Sequence, residues 1–295
     1  MKKTLLLFIF LSIGATTFAQ SFNQEITNTK GTPNLTGKIN FQKLNTTPYQ
    51  TWFSKNYDAY TPNKEVTANI KTNLQTYTIK AFLGTWCGDS KREVPKFYKV
   101  LNASNFPLNR LTTIAVEADR EHYKQSVGGE HEGLNIHKVP TFIFYKDGKE
   151  VNRIVESPKK TIEEDISDIL SGKYTPNYPT VTKINTIITT HETDYLSENS
   201  ESLVKELRTI SKNLYELNTY ANVLFFAGKE KEALAVLKFN TLLFPKEADT
   251  YISLANKLAV TKNTSEAITY YERSLDFNKD QKINIKIQEL KKSLQ

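Results

Sequence analysis

Residues 78–101 read TIKAFLGTWCGDSKREVPKFYKVL, and this stretch constrains the fold most tightly. Thr78 to Leu83 has the apolar, β-prone content of a strand. Gly84-Thr85-Trp86 interrupts it. From Ser90 onward, Val94, Phe97, Val100 and Leu101 recur on one side of a helix. A strand handed through a short turn into a helix is the unit from which α/β domains are built. The only cysteine among 295 residues, Cys87, lies in that turn. The unpaired N–H groups and the positive dipole end at a helix start favour a thiolate over a thiol. Lys91 and Arg92 push the same way and Asp89 pushes back. Ser90, three residues on, faces Cys87 across one helical turn and offers its hydroxyl as a donor to the sulfur.

The same grammar continues on both sides. Residues 20–59 are rich in Asn, Thr and Gln and read as an extended, loosely packed lead-in, tacked down by Trp52, Phe53 and Tyr57, with Tyr60 just beyond. Val66, Ile70 and Leu74 mark a helix, and Leu111 to Val116 a second strand. Residues 121–138 look irregular or partly helical, broken by Gly128-Gly129. Thr141–Tyr145 and Val151–Val155 flank Lys146-Asp147-Gly148-Lys149, and Asp-Gly between two such runs is a strong hairpin signal. Thr161 has the position of an N-cap for a helix carrying Ile162, Ile166, Ile169 and Leu170, closed by Gly172. Asp168 with Glu163-Glu164-Asp165 reads as a charged helix face. Residues 60–172 are thus expected to form one compact α/β domain.

Pro176 and Pro179 mark a linker over 173–199, and the remainder is helical in composition. A shift of 34 residues superposes Leu217 on Tyr251, Tyr220 on Leu254, Ala221 on Ala255, Leu224 on Leu258, and Ala233 on Ala267. Helical hairpins need small residues where two helices approach closely. With this period, residues 200–295 resemble tetratricopeptide repeats. Pro245 ends the first unit as expected, whereas Lys279 stands at that place in the second. Leu203, Leu207, Ile210 and Leu214 suggest a further helix upstream. Ile283, Ile287, Leu290 and Leu294 suggest a capping helix.

The first residues have the layout of a secretory signal peptide: Lys2-Lys3, an apolar run from Leu5 to Ile13, then small residues to Ala19, with cleavage expected at Ala19-Gln20. No later segment approaches membrane-spanning length, so an exported protein, periplasmic or secreted, with no integral membrane segment after cleavage is expected. The formal charge of +7 is spread among 39 basic and 32 acidic residues without a basic block, which argues against nucleic-acid binding. In an oxidising compartment structural cysteines come in pairs. A lone one is inert and buried, paired with another molecule, or reactive.

Trp86-Cys87-Gly88-x-x-Lys91 after a strand resembles the active-site motif of the thioredoxin superfamily. Pro95 stands where that family kinks its active-site helix. Val139-Pro140-Thr141 resembles its cis-proline segment, and the strands around Asp147-Gly148 its terminal hairpin. The resemblance implies a thioredoxin fold, a central mixed sheet flanked by helices, over residues 60–172, followed by the all-α repeat domain. It implies Cys87 as the nucleophile with Ser90 polarising it. Trp86, Val139, Pro140 and Thr141 would form the substrate cleft, Val139 pairing with extended peptide through its backbone.

Two departures restrict the chemistry. Ser90 replaces the family's second cysteine, and Ala81 occupies the place of its buried aspartate. A thiolate here is able to form a mixed disulfide with a protein or peptide disulfide, but another thiol must release it. The implied activity is monothiol exchange or isomerisation, needing no cofactor, with a protein partner held at the helical repeats. The alternative is a redox-inactive adaptor whose two domains only bind. Glu130-His131-Glu132 and His137 offer too few soft ligands for a metal, and His137 reads as a solvated loop residue.

Overall fold

A computed structural model describes residues 22–28 and 31–294. The expected signal peptide, residues 1–19, lies outside the described residues. Among the described residues no helix is long and apolar enough to cross a membrane.

The chain opens with β1 (Gln24–Thr27) and β2 (Pro33–Ile39), then α1 (Phe41–Leu44), α2 (Gln50–Ala59) and α3 (Lys64–Leu74). There follow β3 (Thr78–Leu83), α4 (Gly88–Ala103), β4 (Leu111–Ala115), the hairpin β5 (Thr141–Lys146) and β6 (Lys149–Val155), and α5 (Ile162–Leu170). The six strands form one mixed sheet in the order β1-β2-β4-β3-β5-β6. β3 runs parallel to β4 and antiparallel to β5, so it is the central strand and its C-terminal end points at the Cys87 turn.

Strand alternation divides the core in two. Ile79, Ala81 and Leu83 join Phe53 of α2, Ile70 of α3, Phe97 of α4 and Ile166 of α5. Phe82, between them in the strand, joins Ile114, Ile136, Val139 and Ile143 on the other face. Helices therefore cover one face of the sheet. The loop of residues 117–140 covers the other as a series of turns, the irregular of the two forms the sequence allowed over 121–138.

The terminal hairpin and last helix follow the sequence expectation. Asp147 and Gly148 take φ of 51° and 76°, the left-handed pair that a two-residue hairpin turn requires. Thr161 caps α5 in a full capping box with Glu164. The charged face expected on α5 is corrected. Glu163 and Asp165 are buried, accepting from Tyr60 Oη and Asn63 N, and from Lys159 N and Lys160 N, respectively. Backbone and phenol donors satisfy these carboxylates inside the fold, which periodicity of the helix alone does not reveal.

Two segments expected to be loose are also corrected. β2 pairs antiparallel with β4, and Leu35, Leu44, Tyr49 and Phe53 are buried in the main core, so the lead-in is part of the domain. The expected linker contains α6 (Pro179–Thr190) and α7 (Tyr195–Glu198). Val181, Ile184 and Ile187 of α6 are buried in the helical core. Intervening threonines diluted the apolar signal in both places.

Beyond α7 come α8 (Ser200–Leu207), α9 (Tyr215–Phe226), α10 (Glu230–Leu243), α11 (Ala248–Val260), α12 (Thr264–Leu275) and α13 (Gln281–Lys292). Ala221, Ala233, Ala255 and Ala267 are all fully buried, at the helix approaches where a repeating hairpin demands small side chains. The region is helix-rich and consistent with repeats. Helix α8 stops at Leu207 and leaves Ile210 exposed, and Leu294 lies exposed beyond α13.

Candidate thiol site

Cys87 is the N-cap residue of α4, and Lys91 N donates to its carbonyl to begin the helix. The turn before it is fixed from several sides. Gly84 is required because a Cβ there would meet the Trp86 ring at 2.5 Å. The Trp86 indole donates to Val116 O at 2.8 Å. Thr85 Oγ1 accepts from Leu35 N at 3.0 Å, tying the turn to β2.

The half-buried Cys87 Sγ lies 3.3 Å from Val139 O. The Val139–Pro140 peptide is cis. The structure thus brings together Trp86, Cys87, Val139 and Pro140. Ser90 and Thr141 lie alongside but turned inward. Ser90 is fully buried, and the hydrogen bond made by its hydroxyl is accepted from Gly84 N at 3.1 Å, not shared with Sγ as the helical spacing suggested. Thr141 is buried and its hydroxyl donates to Lys138 O, so its side chain shapes the segment from within. Arg92 pairs with Asp89 and Glu93, both at 2.6 Å, so its charge and that of Asp89 are spent on each other. Ala81 is fully buried in the strand behind the site.

His137 is not a solvated loop residue. It is buried between the rings of Tyr178 and Tyr220, edge-on to both. This packing joins the loop over the sheet to α9 and to the residue before α6. Gln125 Nε2 donating to Phe226 O at 2.6 Å and Tyr123 against the Phe226 ring add to the junction. Burial pushes the His137 imidazole down to about 3. An unfolded chain takes up that proton near 6.5, so the folded state binds fewer protons below this pH. Stability is accordingly expected to fall as pH drops through 6.5 toward 3, by on the order of 3 kcal/mol between pH 7 and pH 4 from this group. Urea midpoints of wild type and His137→Phe across that range check this: the variant should lose the His137 share of the decline, and parallel curves would refute it.

Sequence reading missed Lys124. It is only 5% exposed, and its Nζ donates to His137 O at 2.6 Å. It sits in an irregular loop, where no periodicity separates a buried lysine from a solvated one. At the surface, Glu117, Asp119 and His122 bring ligand-type atoms within 4.8 Å of one another. Asp119 there accepts from Glu121 N and His122 N in an ordinary turn, and its Oδ1 lies 3.2 Å from His122 Nδ1. The group is accounted for without a metal.

A half-buried sulfur at a helix start faces the carbonyl before a proline across the end of the central strand of a thioredoxin fold. The thioredoxin family model matches residues 39–168, and the chain carries a thioredoxin-family domain. The match begins well before residue 60, in keeping with the packed lead-in. Among similar proteins, the TPR repeat-containing thioredoxin TDX of Arabidopsis thaliana is 29% identical over 92 residues, covering 31% of this chain and 22% of that protein. Thioredoxin Asp f 29 of Aspergillus fumigatus is 32% identical over 79 residues, covering 27% and 64%. Thioredoxin-1 of Schizosaccharomyces pombe is 29% identical over 85 residues, covering 29% and 73%. The chain thus spans about a fifth of the first relative and under two thirds of the second.

Proposed function

We propose that this is an exported thioredoxin-like thiol protein that exchanges disulfides through Cys87 alone, with its helical region binding a partner or the substrate itself. The observation that carries the reading is the half-buried Sγ placed 3.3 Å from Val139 O at the start of α4. The Cys87 thiolate attacks one sulfur of a protein disulfide. That S–S bond breaks, the departing sulfur leaves as a thiolate with the electron pair, and Cys87 becomes a mixed disulfide. No second cysteine is present to resolve it. Release falls to the substrate's own freed thiol, giving isomerisation, or to an external thiol. Val139 and Pro140 line the sulfur, and backbone pairing to Val139 would hold extended peptide whatever its sequence.

Export rests on the N-terminal layout of charge, apolar run and small residues. Partner binding rests on the helix-rich region and on the similarity to a TPR repeat-containing thioredoxin. Joining such a module to the thiol raises the local concentration of whatever it binds.

Trapping tests the reading. Wild type incubated with extract proteins and quenched in acid should yield adducts that dithiothreitol dissolves, and Cys87→Ser should yield none. Wild type without adducts would leave the redox-inactive adaptor as the surviving account.

A further inference from the structure

The Val139-Pro140 segment that faces the sulfur is gripped on both sides, and both grips meet at Tyr178. On the leading side, His137 lies edge-on to the Tyr178 ring with centroids 5.7 Å apart, and Lys138 Nζ sits 5.1 Å from the centroid of that ring. On the trailing side, Glu156 N donates to Pro140 O at 2.7 Å. The Glu156 carboxylate accepts from the Tyr178 hydroxyl and pairs with Lys138 Nζ at 3.1 Å. Val139, whose carbonyl stands 3.3 Å from Cys87 Sγ, lies between these anchor points in the chain.

Tyr178 is fixed in its turn. Asn177 Nδ2 donates to Val155 O at 3.1 Å and to Ser157 O at 2.8 Å, the carbonyls on either side of Glu156. Thr180 Oγ1 lies 2.7 Å from Ser211 Oγ, and Lys212 Nζ lies 5.5 Å from the Tyr178 ring centroid. The start of α6 is thereby tied both to the end of β6 and to the segment before α9. Tyr178 and Glu156 take left-handed φ of 63° and 66°. That conformation is uncommon for residues with side chains. It persists where the surrounding structure over-determines it. Here two such residues are joined to each other by a hydrogen bond.

We propose that Tyr178 is a positioning residue for the thiol site, fixing from the helical region the Val139 backbone on which an extended peptide pairs. The proposal rests on the exchange reading above. Tyr178 acts through His137, Lys138 and Glu156. A protein disulfide brings its chain as well as its sulfurs, and pairing at Val139 holds that chain with the S–S bond toward Sγ. Alignment of this kind is sensitive to displacements of about 1 Å. A small disulfide has no chain to pair and needs only to reach the sulfur. Loosening the segment therefore costs protein disulfides more than small ones. A general loss of stability does not separate the two.

Full-length wild type, Tyr178→Phe and Tyr178→Leu are reacted separately with insulin and with hydroxyethyl disulfide, and Cys87 adducts are followed by intact mass after acid quench. In each reaction the Cys87 thiolate forms one new S–S bond, the attacked S–S bond breaks, and its other sulfur leaves as a thiolate. The quantity read is the insulin rate divided by the hydroxyethyl disulfide rate. Tyr178→Leu removes ring and hydroxyl, and its ratio should fall at least about 10-fold. Tyr178→Phe keeps the ring against His137 and Lys138 but releases Glu156. Its ratio should fall about 3-fold, as for one modest hydrogen bond. An unchanged ratio in Tyr178→Phe, or two rates that fall together in Tyr178→Leu, would overturn the role and leave Tyr178 a packing residue. If Tyr178→Leu does not fold, the Tyr178→Phe ratio decides alone. A wild type that captures no insulin removes the exchange reading, and this role with it.

Discussion

Ser90→Cys is expected to convert this protein into a dithiol reductase. Residue 90 is buried one turn into α4 beneath Cys87, with its side-chain oxygen against Gly84 N. A sulfur there is placed to attack the Cys87 sulfur of a mixed disulfide. It would free the substrate thiolate and leave an internal disulfide, between Cys87 and the introduced thiol, for dithiothreitol to reduce. The slow bimolecular release then becomes intramolecular, and a well-placed group of this kind is worth many orders of magnitude in effective concentration. Insulin reduction at sub-millimolar dithiothreitol should rise at least about 10²-fold over wild type. The informative negative result is a variant that forms the internal disulfide, seen by mass, yet reduces insulin no faster. That would mean the cleft beside Val139 does not admit protein disulfides.

Phe97→Ala should be the most damaging single change in the core behind the site. Phe97 is fully buried, stacked on Phe142 with ring centroids 4.0 Å apart, and edge-on to Phe144. Removing such a ring costs about 3–5 kcal/mol in lost transfer energy and residual cavity. For a domain of this size that is roughly 10 °C in Tm. The functional consequence follows from the two elements the stack joins. Phe97 lies on α4, which Cys87 begins; Phe142 lies on β5, just after Val139-Pro140. Loosening the stack frees the sulfur from its carbonyl. Thermal stability by calorimetry and the rate of Cys87 adduct formation should therefore fall together. A loss under about 1.5 kcal/mol would mean that the neighbouring side chains refill the space.

Much was legible along the chain because it is local. Strand content from Thr78 to Leu83, the Gly84 break and the helical spacing of Val94, Phe97 and Leu101 fix the unit that carries Cys87. Asp147-Gly148 fixes a hairpin through two left-handed residues, and Thr161 with Glu164 closes a cap within four residues. The alanines 34 residues apart mark helix contacts that repeat with the chain. In each case the stabilising partner is a near neighbour or a periodic one, so residue type and spacing carry the information.

What tertiary structure alone decided involves partners distant in sequence. Ser90 has the spacing to reach Cys87, but a backbone N–H six residues back claims its hydroxyl. Glu163 looks like surface charge until Tyr60 and Asn63 meet it about a hundred residues away in the chain. His137 becomes a buried, neutral ring only because Tyr178 and Tyr220 close over it. Lys124 is drawn inside by a carbonyl thirteen residues ahead. Whether a polar group is solvated, satisfied or poised depends on which elements pack against it, and a one-dimensional pattern does not record those contacts.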